Sequence, residues 1–202
     1  MHAAPTSPFA RLAIAASGVA IVALLSLHVL RADLSPATHM ISEYAVGDFG
    51  WVMTLCFYAF AIASLALFGA LATRVRGVVG WLGLIALLVT AAGLAIGGAF
   101  PMDPTTNDPA RMSQSGQLHG LGFMLGVPGE LFAVLLLTMH LRKQPAWNGR
   151  SLGWLAAATW LSVAVMAPLL MKGGAFGIPN RTFMIAYGAW MIVVARGCRD
   201  VA

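Results

Sequence analysis

Few side chains in this chain could do chemistry. Seven Asp and Glu, twelve Lys and Arg and five His are spread over 202 residues. Glu130 follows Pro128 and Gly129 inside a long apolar run. A carboxylate at the middle of a bilayer costs about 2.5–3.5 kcal/mol on insertion scales, so such a group is protonated, paired or facing a wet cavity. The functional expectation at Glu130 is a proton or ligand site. The structural alternative is a neutral carboxyl bonded to Tyr58, Thr90 or Tyr187 of a neighbouring helix. Pro128 removes a helical hydrogen bond just before it and predicts a kink there.

A second set of polar residues lies near the ends of apolar runs. Ser35-Pro36 is a helix-start signature, an N-cap followed by proline at the first helical position. It predicts a short amphipathic helix with Met40, Ile41, Tyr44 and Ala45 on one stripe and Gly47 as its stop. His39 and Glu43, four residues apart, share the opposite stripe. That spacing suits a metal, a proton relay or a solvated pair. Asp103 precedes Pro104 and reads as a turn cap, His119 opens the fourth apolar run, and Asn180-Arg181 opens the last. Glu43, Tyr44, Asp103, His119, Asn180 and Arg181 therefore form a candidate polar cluster. An arginine with two carboxylates and a histidine could bind an anionic headgroup, poise the histidine as a general base, or fix the loops as a salt-bridge network. The expected signature is a hydrogen bond from Arg181 or His119 to Glu43 or Asp103. No cofactor is expected. Haem between His28 and His119 needs both rings in one cavity, and a metal at His39 and His119 lacks the third protein ligand usual at zinc.

The elements that position these residues follow from composition. Hydrophobic residues make up 59% and charged residues 9%, against about a quarter charged in soluble domains. This argues against a water-soluble globule and excludes disorder, collagen and a nucleic-acid partner, since the basic residues form no patch. A bilayer core needs roughly 20 apolar helical residues. Six runs qualify, at 10–30, 51–73, 78–100, 118–141, 152–171 and 182–195, the last being short. The first is too long for a secretory leader's core and reads as a retained helix. The expectation is an all-α, six-helix transmembrane bundle in a single membrane domain, with a short interfacial helix in the first external loop. Eight basic residues (Arg11, Arg74, Arg76, Arg142, Lys143, Arg150, Arg196, Arg199) fall on one side and four (Arg31, Arg111, Lys172, Arg181) on the other. The positive-inside rule then puts both termini in the cytoplasm and the long loops 31–50 and 101–117 outside. Residues 2–8 read as a mobile tail. Gly93/Gly97 and Gly122/Gly126 are GxxxG pairs that allow close helix packing or dimerisation. Cys56 and Cys198 form no motif.

Ile41-Ser42-Glu43-Tyr44-Ala45-Val46-Gly47, Gly50-Trp51, Phe100-Pro101-Met102-Asp103 and Leu118-His119-Gly120 resemble the bacterial and archaeal integral membrane family catalogued as domain of unknown function 998. The likeness runs from the first apolar run to the sixth, and Asn180-Arg181 is similar to a basic position in that family. It implies the six-helix reading and the external cluster, and it supplies no reaction. His39 and Glu130 lie outside the matching pattern. The expected function is binding of a lipid headgroup, small ligand or membrane partner by the external cluster. The alternatives are a lipid-directed hydrolase or transferase using His119, Asp103 and Glu43, and a proton-coupled transporter using Glu130.

Overall fold

The computed structural model describes residues 7–103 and 111–198. Pro104, Asp108 and Arg199, and residues 2–6 of the expected mobile tail, lie outside them. Six α-helices follow one another, α1 (Pro8–Leu30), α2 (Gly50–Leu71), α3 (Gly77–Ala99), α4 (Gln114–Leu141), α5 (Arg150–Met171) and α6 (Gly177–Gly197), and none of the described residues forms a strand. Five of them, α1 to α5, are long and apolar enough to cross a membrane. The sixth is 21 residues long, about 31 Å at 1.5 Å per residue, but its first turns carry Asn180, Arg181 and Thr182. The helices alternate in direction. One end of the bundle carries the α1–α2, α3–α4 and α5–α6 connections, and we call it the upper end.

Helix starts are set by local chemistry. Pro8 opens α1 in the first turn, where its missing N–H has no partner to lose. Ser113 caps α4, its hydroxyl accepting the Gly116 N–H at 3.0 Å, so α4 begins four residues before the expected 118. α6 begins at Gly177 rather than 182 because Pro179 falls in the first turn, where helical N–H groups are unpaired anyway. α4 continues through Pro128 without a break.

Packing follows the small residues. Ala10, Ala13, Ser17, Ala20, Leu24 and Leu27 make one buried face of α1, against which α2 and α6 pack. The glycine pairs bring α3 and α4 into backbone contact. A Cβ on Gly93 would collide with the Gly126 backbone, and one on Gly122 would lie 2.8 Å from Gly93 O. The aromatic centre is Phe60, Tyr187 and Trp190, all fully buried. Hydrogen bonds cross between helices at the centre and lower end, among them Trp190 Nε1 to Thr138 Oγ1 at 2.9 Å, Trp160 Nε1 to Leu131 O at 3.2 Å, and Tyr187 to Ser64 at 2.9 Å. α5 is peripheral and exposes Trp154, Leu161 and Met171.

The first long loop differs from expectation. No α-helix starts at Ser35-Pro36, although Ser35 Oγ accepts the Ala37 N–H at 3.3 Å. The loop instead forms one 3-10 turn, η1 (Ile41–Ala45), with Ile41 and Tyr44 buried. Side chains intercept the backbone groups that a helix would have paired. The Glu43 carboxylate takes the Met40 N–H at 2.6 Å and Asn180 Oδ1 takes the Ile41 N–H at 2.9 Å. His39 and Glu43 do not bond to one another: His39 Nδ1 contacts Ser35 O and Thr38 Oγ1, both at 3.3 Å.

Candidate functional site

Two polar arrangements occupy the upper half of the bundle. The first centres on Arg181, which is 6% exposed. Its Nε donates to His28 Nε2 at 2.8 Å, Nη1 to His39 O at 2.7 Å and Gly177 O at 3.0 Å, and Nη2 to the Tyr44 hydroxyl at 2.9 Å. Its Cζ lies 5.1 Å from the Tyr44 ring centroid. A guanidinium only donates, so His28 Nε2 must carry a lone pair and its Nδ1 the proton, which points to Leu25 O at 3.2 Å. Arg181 thus ties α6 to α1 and to η1. Both nitrogens of His28 are engaged within the protein, by Arg181 and by Leu25 O.

The expected bond from Arg181 or His119 to a carboxylate is absent. Among the described residues no Asp or Glu is ion-paired with Arg181. Asp103 accepts the Ser113 N–H at 2.8 Å and the Ser113 hydroxyl at 2.7 Å, so it fastens the start of α4. His119 Nδ1 donates to Phe100 O at 2.8 Å, and its ring stands edge-on to Phe57. The six cluster residues therefore divide. Tyr44, Asn180 and Arg181 hold η1 to the bundle, Glu43 closes η1 itself, and Asp103 and His119 fix the α3–α4 connection. Sequence reasoning missed Arg31. Its side chain pairs with Asp33 at 2.8 Å and reaches Val46 O at 2.6 Å, gathering the two ends of the loop. The guanidinium beside Asp33 holds that carboxyl below the usual aspartate range, the hydrogen bond being the main cause. The signal available was Arg31 two residues before Asp33.

The second arrangement is a cavity of about 60 Å³ between η1, α2, α3, α4 and α6. Ser42, His119 and Asn180 line it toward the upper end, and Glu130 lines it below. His119 and Glu130 are eleven residues apart on α4, about 16 Å along the helix axis. Met40, Ser42 and His119 are partly exposed at the mouth. Glu130 is 1% exposed, and its Oε1 has no hydrogen-bond partner. None of the expected bonding groups reaches that oxygen. The Tyr187 hydroxyl pairs with Ser64, Tyr58 lies on an exposed face, and Thr90 Oγ1 is itself without a partner, packed against Gly129. A buried carboxyl with one oxygen unpartnered, on a residue that lines a cavity, is a place for a proton, water or ligand donor. No three His, Cys, Asp or Glu side chains come together as a metal-binding group among the described residues.

Packed apolar helices of this length define a multi-pass helical membrane protein. Within that class the chain belongs to the family described as protein of unknown function (DUF998), whose model matches residues 14–197. The match takes in η1, the Arg181 node and every residue lining the cavity. Comparison with curated proteins and with solved structures gives no match.

Proposed function

We propose that the protein binds a small ligand in the cavity that ends on Glu130, admitted from the outer side of the cell membrane past Ser42 and His119. Both termini lie in the cytoplasm on this reading, which the basic-residue count of eight against four supports. The observation that carries it is that Glu130, whose Oε1 is buried without a partner, is itself a lining residue of the cavity. Lipid-headgroup binding by Arg181 is less well supported, because four of the five guanidinium N–H groups are already donated within the protein. A hydrolase built on His119, Asp103 and Glu43 lacks its key contact, since both carboxylates bind backbone N–H groups and neither orients the imidazole. A transporter would use the same carboxyl, but Trp190, hydrogen-bonded to Thr138, and Tyr187, stacked on Trp190, fill the bundle on the cytoplasmic side of Glu130.

A small apolar carbodiimide, which reacts with protonated carboxyls, tests the reading. Dimethylcarbodiimide, small enough for the cavity with about five heavy atoms, added to vesicles of the full chain gives an adduct at Glu130, read by peptide mass spectrometry. Gly97→Leu cuts that labelling at least tenfold. A Cβ at Gly97 would meet only Phe57 Cε1 at 3.9 Å and His119 Cε1 at 4.0 Å, so the new side chain fills the cavity without a backbone clash. Unmodified Glu130 under conditions where Glu43 reacts refutes the proposal.

A further inference from the structure

We propose that the occupant is a small alkylammonium ion, and that Glu130 gives up its own proton on taking it. This deepens the cavity reading above and rests on it. Phe57, Leu94, Val127, Phe183 and Met184 form apolar walls, and the lining contains no Lys or Arg. Around Glu130, α2 contributes Cys56 and α6 contributes Tyr187, while α3 contributes Thr90 beside Gly129. His119, higher on α4, is the other titratable group on the lining. The Tyr187 hydroxyl is held by Ser64. The closed end thus offers oxygen acceptors without a fixed cation.

Each ligand class meets this end differently. An anion is repelled once the carboxyl ionises. A purely apolar molecule leaves Oε1 unsatisfied. A neutral alcohol supplies one O–H and no charge. An ammonium supplies three N–H donors and the counter-charge that a carboxylate needs in an apolar surrounding, with phenyl rings of Phe57 and Phe183 in the wall to favour a cation. Size sets a further limit. A water occupies about 10–15 Å³ on the same scale, so a cavity of about 60 Å³ admits roughly four to six heavy atoms. n-Propylammonium has four.

The exchange balances without a further reactant. A free, unpaired carboxyl in this setting carries its proton. The ammonium enters as the cation, the carboxyl O–H bond breaks, the carboxylate pairs with the ammonium, and the proton leaves to solvent through the mouth. One positive charge enters and one leaves.

The test uses the purified full chain in detergent, titrated calorimetrically with n-propylammonium chloride, n-propanol and sodium propionate at fixed ionic strength. The expected result is binding of the ammonium with affinity at least tenfold above propanol, none of propionate, and loss of at least tenfold in Glu130→Gln. One proton is released per amine bound, read from the difference between phosphate and HEPES buffers, and Kd falls about tenfold per pH unit from pH 6 to 8. The proton count needs no variant, so it stands even if Glu130→Gln does not fold. Equal affinity for propanol, undiminished amine binding in Glu130→Gln, or zero proton release overturns the ammonium. If propanol binding is lost in Gly97→Leu and kept in Glu130→Gln, the cavity reading survives and the ammonium fails. Protein whose Glu130 is labelled by carbodiimide but which binds no amine likewise keeps the cavity and overturns the ammonium. Absence of that labelling removes both.

Discussion

Replacing Arg181 with lysine keeps the charge and removes the fork that holds η1. Three of the four Arg181 hydrogen bonds leave its own helix, to His28, to His39 O and to the Tyr44 hydroxyl. One ammonium nitrogen cannot stand in the three places occupied by Nε, Nη1 and Nη2. It keeps one of these bonds and loses two. Hydrogen bonds to charged groups contribute about 1.5–3 kcal/mol each, so the gross loss is about 3–6 kcal/mol. Water reaching the partly exposed His28 and His39 recovers some of this, and the net expectation is a destabilisation of about 3 kcal/mol. Equilibrium denaturation in mild detergent reads the total, and amide exchange across Ile41–Ala45 reads its location. A cycle with His28→Ala isolates the pair, with a coupling above about 1 kcal/mol expected for groups in direct contact. A change within about 0.5 kcal/mol of wild type, or equal exchange rates in η1, would show that the arginine does not fasten the turn.

Further outcomes follow from other contacts. Gly93→Ala drives a methyl into the Gly126 backbone and costs about 1–3 kcal/mol by overpacking, whereas Gly120→Ala, with nothing within 4 Å of its Cβ, is neutral or stabilises by up to about 1 kcal/mol; thermal midpoints of the two variants compare them directly. Asp103→Ala frees the Ser113 N–H and hydroxyl and costs about 1 kcal/mol, as loss of a helix-start cap does, with faster amide exchange at the start of α4. The Asp33 carboxyl is held low by Arg31, so its contribution is present above the ordinary aspartate range and is lost as pH falls through the lowered value. Loop amide protection, taken relative to the intrinsic exchange rate at each pH, should therefore stay flat from pH 7 to 5 and fall only in stronger acid, and Asp33→Asn should remove the acid-dependent step.

Much of the bundle was legible because lipid-facing helices need long apolar runs, and five such runs correspond to α1–α5. α6 reads as short from sequence because its opening turns carry Asn180 and Arg181, which face the protein rather than lipid. The first loop was misread for a related reason. Ser35-Pro36 is a local signal, while the groups that decide the backbone there, Asn180 and Arg181, arrive from the far end of the chain. Arg181 was matched with acids by sign and depth, but it is satisfied by carbonyl oxygens, a phenol and a neutral imidazole, and charge arithmetic does not reveal such partners. Glu130 was visible because a carboxylate in an apolar run stands out whatever surrounds it. The cavity above it was not, since it arises where α6 meets the close-packed α3–α4 pair.

The link between His28 and Arg181 joins residues 153 positions apart. At a synthesis rate of roughly 5–20 residues per second, the ribosome needs about 8–30 s after making the histidine to deliver its arginine. Throughout that interval the roof over the cavity lacks its fastener, so a chain that stops short of α6 leaves η1 untied from the bundle, and the seam closes only when α6 joins the other helices.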